Sequence, residues 1–332
     1  MMARLVQLRV GFMDSLLSLS RRRLLGTSAA ALALGPFAAF ADEIGQAQPP
    51  QPAADTVQGN AQRDHRMTVD ARIDGQGPFQ FLVDTGADRS VIASDVAAKL
   101  GLLGGNNVVV QGISRSVPAT TARLKSLEVG PIEVEDVDIP ILSREWLGAD
   151  GYLGLDVLNQ RKVTFDFRNQ VLTINHSQLA ARAVTTPDLV VHVSGAHGRL
   201  TAFDCRVDDV PAAAFIDSGA ETSIGNSRLY AELQKRGARY ITERVIPITD
   251  VTGGSVPGHI TSVSTIKVGA ISFLRANLLI CDLEIFDVWG LADRPALFIG
   301  MNFLGQTSAF SIDFGRKELQ FRLADVQVAR RI

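Results

Sequence analysis

The strongest constraint on this 332-residue chain is a short pattern that occurs twice. Each copy is an apolar strand that ends in an acid, a hydroxyl residue and a glycine: Asp84-Thr85-Gly86 in the first half and Asp217-Ser218-Gly219 in the second. A carboxylate at the end of a buried strand costs free energy unless the protein uses it. Because this arrangement appears twice, we expect the two acids to work together.

The features that follow each acid also recur in the same order. A short helix, a strand with a flexible tip, a Val-Gly turn, an apolar run with glycine and a final hairpin appear in both halves. The offset between the copies grows from 133 residues at Asp84 and Asp217 to 147 residues at Asp166 and Asp313, as loop insertions would give. We interpret Asp166 and Asp313 as alternation on a hairpin strand rather than as catalytic acids. The repeat predicts a duplicated β domain.

Composition supports a mostly β protein with more than one domain. The chain is long enough for two domains, and valine, isoleucine, glycine and turn residues recur densely after residue 65. The net charge of -2 leaves no basic footprint, so we expect no nucleic-acid partner. The histidines are scattered singly and the cysteines lack metal-type spacing, so we expect neither a metal nor a cofactor. Cys205 and Cys281 are interpreted either as two partly buried thiols or as a disulfide.

Local patterns divide the folded part of the chain into two lobes. Residues 66–180 are predicted to form the N-terminal lobe and residues 181–332 the C-terminal lobe. In the first lobe a short helix is expected over residues 93–101, with Ser94 as N-cap and Gly101 just past its end. A corresponding helix in the second lobe is expected to end at Gly237.

Residues 1–41 have the features of an export signal. Three arginines at residues 21–23 precede an apolar run that ends in a small-x-small pattern at residues 39–41. The paired arginines resemble a bacterial twin-arginine signal, although Leu24 stands where phenylalanine is commonest and Met13 is an alternative start. The apolar run is shorter than the ~20 residues of a membrane-spanning helix, so we expect a cleaved signal rather than an uncleaved anchor.

Residues 42–65 are rich in proline and glutamine and have no apolar periodicity. We interpret this stretch as an extended or disordered linker. The mature protein is therefore expected in the periplasm or outside the cell, without stable membrane insertion.

The repeated motifs resemble those of two-lobed aspartic peptidases, over roughly residues 66–323. Asp84-Thr85-Gly86-Ala87-Asp88 is similar to the retropepsin motif, and Asp217-Ser218-Gly219-Ala220 matches it with a permitted serine. Gly154 and Gly300, each after two apolar residues, match the second family motif. The resemblance implies an all-β fold of two acid-protease-type β-barrel lobes with short helices, related by a pseudo-two-fold axis around a central cleft.

The resemblance makes Asp84 and Asp217 the expected catalytic pair. Two like charges a few ångströms apart cannot both ionise easily, so such a pair shares one proton. One carboxylate accepts a proton from water, and the protonated one hydrogen-bonds the scissile carbonyl. Because the two acids titrate as a unit, neither has a pKa of its own.

The resemblance also implies supporting and substrate-binding residues. Thr85 and Ser218 brace the two turns through bonds to the opposite lobe, and Gly86 and Gly219 allow the turns to approach closely. The implied substrate-binding positions lie just after each turn and in two candidate flap tips, residues 111–116 and 252–255: Ala87, Asp88, Ala220, Glu221, Gly112 and Gly253. Glu221 departs from the aspartate of the first copy. Neither tip carries the tyrosine of pepsin flaps or the full glycine-rich retropepsin flap.

We therefore predict an aspartic endopeptidase that acts on peptides or proteins as a monomer, because the duplication supplies both acids. The altered flaps and Glu221 motivate an alternative, a catalytically weak or inactive peptide-binding module on the same fold. A third interpretation, a structural secreted β protein, requires that the two acids lie far apart.

Overall fold

The computed structural model describes residues 2–4, 9–10, 59–61, 66–102, 104–177, 189–193, 201–242 and 244–323. The predicted export signal and linker lie almost entirely outside these residues. Strands dominate the described part of the chain, together with short helices, and the predicted mostly β class is confirmed.

Strands and helices are numbered in chain order. The strands of the first half are β1 (Met2–Arg4), β2 (Arg9–Val10), β3 (Gly59–Ala61), β4 (Met67–Ile73), β5 (Gln76–Val83), β6 (Val91–Ala93), β7 (Asn107–Gln111), β8 (Ser116–Val129), β9 (Ile132–Leu142), β10 (Gly151–Leu153), β11 (Arg161–Asp166) and β12 (Val171–His176). The strands of the second half are β13 (Leu189–His192), β14 (Thr201–Val207), β15 (Val210–Ile216), β16 (Ile224–Gly225), β17 (Ile246–Thr249), β18 (Ser255–Val268), β19 (Ile271–Ile280), β20 (Ala296–Ile299), β21 (Ala309–Asp313) and β22 (Glu318–Arg322). The helices are α1 (Ser94–Lys99), α2 (Arg144–Leu147), α3 (Leu155–Leu158), α4 (Ser227–Gln234), α5 (Glu284–Val288) and α6 (Met301–Leu304).

The two lobes have the same strand order. The first-lobe sheet runs β1-β7-β8-β9-β6-β10-β5-β4-β3, and the second-lobe sheet runs β14-β15-β20-β16-β19-β18-β17-β2. Apart from β1, β2 and β3, each strand of one sheet has a counterpart at the same place in the other. Additional pairings of β4 with β8 and of β14 with β18 close each sheet into a barrel. The predicted two-lobed architecture is therefore confirmed.

Apolar patterning explains how the strands present the acids. In β4, buried apolar residues such as Val69 and Ala71 alternate with the exposed Asp70 and Arg72, as on a half-buried strand. The end of β5 differs, because residues 81–83 are buried without a break. This segment pairs in parallel with β10 in the middle of the sheet, where both faces are covered. The next residue, Asp84, is thereby delivered into the interior.

A third sheet joins the lobes. Its order is β12-β11-β21-β22-β13, so strands from both halves of the chain pair directly. Phe165 of β11 lies opposite Phe310 of β21, and their rings stack with centroids 4.6 Å apart. The sequence predicted the two terminal hairpins but not this pairing between them.

Helix α1 begins at Ser94, one residue earlier than an N-cap at Ser94 would give. Ser94 was the expected N-cap and this is wrong, because Ala93 occupies the cap position in an extended conformation without a side-chain bond. Strand β6 runs directly into the helix, and Ala93 N–H donates to Asp150 O, so the sheet sets the boundary. The glycines expected just after the helices, Gly101 and Gly237, both have positive φ, as helix-terminating glycines do.

Strand β3 pairs with β4, so the first sheet begins N-terminal to residue 66, within the stretch predicted to be a linker.

The two cysteines, Cys205 and Cys281, are free and buried rather than bridged. Among the residues described, no helix is long and apolar enough to cross a membrane.

Candidate active site

Both repeated acids sit at corresponding ends of central strands. Asp84 follows β5, and its N–H donates to Leu153 O at 3.0 Å. Asp217 follows β15, and its N–H donates to Ile299 O at 3.1 Å. The two side chains are 0% and 1% exposed. The same strand pairing therefore presents each acid in the interior of the molecule.

The hydroxyl residues after the acids bond across the lobe boundary. Thr85 N–H donates to Ser218 Oγ at 3.1 Å, and Ser218 N–H donates to Thr85 Oγ1 at 3.0 Å. Ser218 Oγ also donates to Val83 O at 2.8 Å, and Thr85 Oγ1 lies 3.4 Å from Ile216 O. The structure brings together the turns that the sequence placed 133 residues apart, in the bracing arrangement that the resemblance implied.

The glycines pack against the opposite carboxylates. A Cβ on Gly86 would lie 2.9 Å from Cγ of Asp217, and a Cβ on Gly219 would lie 2.6 Å from Cγ of Asp84. Real Cβ atoms do not approach other atoms so closely. Each carboxylate is therefore in contact with the turn of the other lobe, which is inconsistent with the interpretation that the two acids lie far apart.

Each carboxylate accepts backbone N–H groups through one oxygen. Oδ1 of Asp84 accepts from Gly86 and Ala87 N–H at 2.9 and 3.0 Å, and Oδ1 of Asp217 accepts from Gly219 N–H at 2.8 Å. The two side chains also hydrogen-bond to each other, as a shared proton requires. Apart from that bond, the two Oδ2 atoms are buried without a donor among the described residues. A buried polar atom without a partner is costly, and a bound water or substrate could satisfy it.

The buried environment changes the acidity of both groups. Burial, reinforced by the charge of Asp217, raises the pKa of Asp84 well above its ordinary value. Burial also raises the pKa of Asp217, to about 7, although backbone N–H groups and the positive charge of Arg66 act in the opposite direction. Because the two acids are coupled, the raised values belong to the pair, which retains a proton well above pH 4.

Behind each turn, a buried serine is held by a polar side chain from the following helix. In the first lobe, Ser90 donates its N–H and hydroxyl to Asp156 Oδ1 at 2.9 and 2.7 Å and accepts from Gly154 N–H. In the second lobe, Ser223 donates in the same way to Asn302 Oδ1 at 3.0 and 2.7 Å and accepts from Gly300 N–H. The second family motif therefore supports the turns through Gly154 and Gly300.

The residues after the turns are placed differently in the two lobes. Ala87 and Ala220 are buried and Asp88 is partly buried. Glu221, at the position of Asp88 in the second lobe, forms an ion pair with Arg66 of the first lobe, with Nη2 and Oε1 2.7 Å apart. Arg66 was not identified from the sequence, because a single arginine before the first strand carries no motif.

The two candidate flap tips meet each other. Gly112 packs against Asp250 and Thr252, and Gly253 packs against the ring of Trp146. Ser114 donates its N–H and hydroxyl to Asp250 Oδ2 at 2.8 and 2.6 Å. The sequence placed both tips, but it gave no signal for the contact between them.

Among the described residues there is no metal-binding site that could serve as an alternative active site. No group of three or more His, Cys, Asp or Glu side chains among them is arranged to hold a metal ion. Burial raises the pKa of the Cys205 and Cys281 thiols to about 12, so neither is a ready nucleophile. The paired acids remain the most chemically distinctive group in the described part of the chain.

Comparisons with known proteins agree with this geometry. A family model described as aspartyl protease matches residues 69–157 and 203–303, which together are more than half of the chain. No curated protein matches the chain in sequence. Among solved structures, the fold is similar to that of the aspartic proteinase from Irpex lacteus, with a TM-score of 0.50 and 14% sequence identity. That match covers 83% of this chain and 99% of the other, and at this identity it supports the fold alone.

Proposed function

The chain belongs to the aspartyl protease family, and on that premise we propose that it hydrolyses peptide bonds with Asp84 and Asp217 sharing one proton. The observation that carries the proposal is the contact between the lobes. Thr85 and Ser218 exchange hydrogen bonds, and each carboxylate packs against the glycine of the opposite turn. This contact unites two acids from separate lobes into one site.

The proposed reaction follows from the shared proton. The ionised carboxylate accepts a proton from a water molecule as that water attacks the scissile carbonyl carbon. The protonated carboxyl donates a hydrogen bond to the carbonyl oxygen and stabilises the tetrahedral intermediate. Proton transfer to the amide nitrogen then releases the amine and restores the starting protonation state. The Oδ2 atoms, buried and without another donor among the described residues, are the ones we assign to these contacts.

The supporting residues have separate tasks in this proposal. Gly86, Ala87 and Gly219 N–H groups fix the Oδ1 atoms, so that the Oδ2 atoms keep a constant direction. Thr85 and Ser218 hold the turns together while the lobes adjust around substrate. Both tasks raise the rate by fixing geometry before the reaction begins.

The test is cleavage of a fluorogenic peptide library by wild type and by Asp84→Asn and Asp217→Asn. We expect wild-type cleavage and a loss of at least about a thousandfold in either variant, because the asparagine can neither accept nor donate the shared proton. Asp156→Asn is the matched control. It also removes a carboxylate that accepts hydrogen bonds from a serine, but Asn302 performs the corresponding task in the second lobe.

A different outcome distinguishes the second candidate function. The two tips bond to each other and both acids are buried. These two features favour the peptide-binding module over the peptidase, because catalysis needs a cleft that gives access to the carboxylates. If wild type cleaves nothing between pH 3 and 8 but binds peptides as tightly as both asparagine variants do, the catalytic proposal fails and the binding module replaces it.

We also propose that the mature protein works outside the cytoplasm of a bacterium, as a monomer. The twin-arginine-like leader supports the location, and the presence of both acids in one chain supports the monomer. Fractionation of expressing cells and size-exclusion chromatography of the mature chain test these two points separately.

A further inference from the structure

The tip of the first-lobe flap carries a buried isoleucine. Ile113 lies between β7 and β8, at the end of a hairpin, and is 0% exposed. A hairpin tip is ordinarily solvated, so its burial requires a partner outside its own hairpin. Ile113 belongs to an apolar cluster whose other buried members, among the described residues, all come from the second lobe. The tip therefore inserts its side chain into the opposite lobe.

The apolar cluster that contains Ile113 extends to the candidate active site. Its members include Phe215 and Ala220, which lie two residues before and three residues after Asp217. They also include Ile285 of α5, whose N–H donates to Ile113 O at 3.3 Å. An apolar pocket combined with a main-chain donor is what an extended peptide would use to bind there. Ile113 thus makes the contacts that a substrate residue would make.

Polar contacts hold this tip in place. We call the latch the four residues that join the two tips: Ser114, Arg115, Asp250 and Thr252. Asp250 Oδ2 accepts two bonds from Ser114, and Arg115 Nη2 donates to Thr252 O at 2.6 Å. Asp250 Oδ1 accepts from the N–H groups of Thr252 and Gly254, which organises its own tip. Asp250 is 2% exposed, so these charge-assisted bonds are shielded from water.

Both acids are buried in the structure in which the latch is formed. Asp84 and Asp217 are 0% and 1% exposed. Some part of the surrounding structure therefore has to move before a peptide carbonyl can reach a carboxylate. The first tip is the one whose departure also empties an apolar pocket next to Asp217.

Building on the proposed function, we propose that Ile113 fills, in the substrate-free protein, a pocket that receives an aliphatic side chain of the substrate. The latch holds it there. Binding then exchanges an internal isoleucine for one from the substrate, so the gain from apolar burial largely cancels. The apparent affinity is reduced by the fraction of molecules whose tip is closed.

One tryptophan packs against the second tip, and the other packs on the apolar cluster that contains Ile113. Trp146 packs against Gly253 of the second tip, and Trp289 packs on the cluster that holds Ile113, 4.4 Å from the ring of Phe215. They are the only two tryptophans in the sequence. Single-tryptophan variants, Trp289→Phe and Trp146→Phe, therefore report separately on the two contacts.

The test measures binding of an uncleavable peptide by titration calorimetry. The probe is a hexapeptide with a reduced amide in place of the scissile bond and isoleucine on both sides, and its partner probe has glycine at those two positions. We expect Ser114→Ala and Ile113→Ala to bind the isoleucine probe about fivefold to tenfold more tightly than wild type, and Ile113→Leu to stay within about twofold. The gain for the glycine probe is expected to be smaller. Ser116→Ala is the matched control, because its hydroxyl bonds to Gln111 within the same hairpin.

Fluorescence supplies a second readout. In the variant that keeps Trp289, saturation with the isoleucine probe is expected to shift the emission, and Ser114→Ala alone is expected to shift it in the same direction. Unchanged affinity in both Ser114→Ala and Ile113→Ala would overturn the proposal. Weaker binding in those variants would also overturn it, since the contact would then serve to close over substrate.

These measurements do not depend on turnover. If wild type binds the isoleucine probe and the latch variants bind it more tightly, but no peptide is cleaved, the latch proposal survives and the catalytic proposal fails. If peptides are cleaved but the latch variants behave as wild type does, the reverse holds.

Discussion

The two lobes share a strand order and an acid turn, but they differ in the residues that surround the turn. In the first lobe the support of the turn is a carboxylate, Asp156, whereas in the second it is an amide, Asn302. The position three residues after each hydroxyl residue also differs. Asp88 occupies it in the first lobe, and Glu221, paired with Arg66, occupies it in the second. The fold of each lobe thus accepts either a carboxylate or an amide as the support of the turn, provided that its oxygen accepts the same hydrogen bonds from a serine.

The tips differ even more than the turns do. The first tip inserts Ile113 into the opposite lobe, and the second places Gly253 against a tryptophan ring. Asp250, which lies just before the second tip, accepts hydrogen bonds from Ser114 of the first tip. The two copies therefore have unequal roles in closing the site, which a symmetric pair of identical chains could not have.

The largest expected effect comes from separating the two turns. Gly219→Ala and Gly86→Ala would place a methyl group against the opposite carboxylate and displace it, so we expect a loss of kcat/KM of at least about a hundredfold in each. Gly219→Ala should be the more severe, because its approach is 2.6 Å rather than 2.9 Å. Steady-state kinetics checks this, with circular dichroism to confirm the fold. Negligible losses would contradict the close contact of the lobes, and equal losses would contradict the ranking of the two glycines.

A smaller effect is expected from the ion pair between Glu221 of the second lobe and Arg66 of the first. Glu221→Gln removes the negative charge that lies beside the buried Arg66 guanidinium, so we expect the free energy of unfolding to fall by about 2 kcal/mol. Asp88→Asn tests the corresponding position of the first lobe. Urea unfolding of both variants measures the difference. An equal cost at the two positions would mean that the lobes do not differ here.

Stability is expected to depend on pH through the shared pair. The pair titrates with a raised pKa, about 7 at Asp217 against an ordinary value of 3.8, so its contribution to stability is present below about pH 4 and is lost as the pH rises through 7. Asp217→Asn removes this loss and should be more stable than wild type by about 1–2 kcal/mol at pH 8, with no gain at pH 4.

Asp95→Asn is a control of opposite sign for that experiment. A hydrogen bond from Arg144 lowers the pKa of Asp95. The contribution of Asp95 to stability is therefore present at pH values above its ordinary pKa and is lost as the pH falls. The variant should be slightly less stable than wild type at pH 8 and equal to it in strong acid. Urea titrations at pH 4, 6 and 8 separate the two. A pH-independent difference for Asp217→Asn would refute the raised pKa.

The smallest effect is expected where one lobe is given the residue of the other. Asp156→Asn should leave activity within about twofold and stability within about 0.5 kcal/mol, because Asn302 makes the same bonds to a serine. Burial raises the pKa of Asp156, so any gain in stability should appear at the higher pH values. The same kinetic and urea measurements apply. A large loss would show that the two supports are not equivalent.

Sequence alone predicted the features that depend on local pattern and on repetition. The two acid turns, the order of the hairpins, the flap tips and the glycines after the helices all follow from residue types at short range. Ser94 failed as an N-cap because the hydrogen bond of Ala93 to Asp150 comes from the sheet, which lies far along the chain. The export signal, the monomer and the catalytic roles of the site residues stay predictions.

The repeat in the sequence determined that two acids occur in equivalent places, because a duplicated domain reproduces each turn. Only the tertiary structure decided what surrounds them. The stacking of Phe165 on Phe310, the pairing of Glu221 with Arg66 and the bonds of Ser114 to Asp250 each join residues more than 130 positions apart. Such contacts depend on how two closed barrels meet, and no local propensity encodes that geometry.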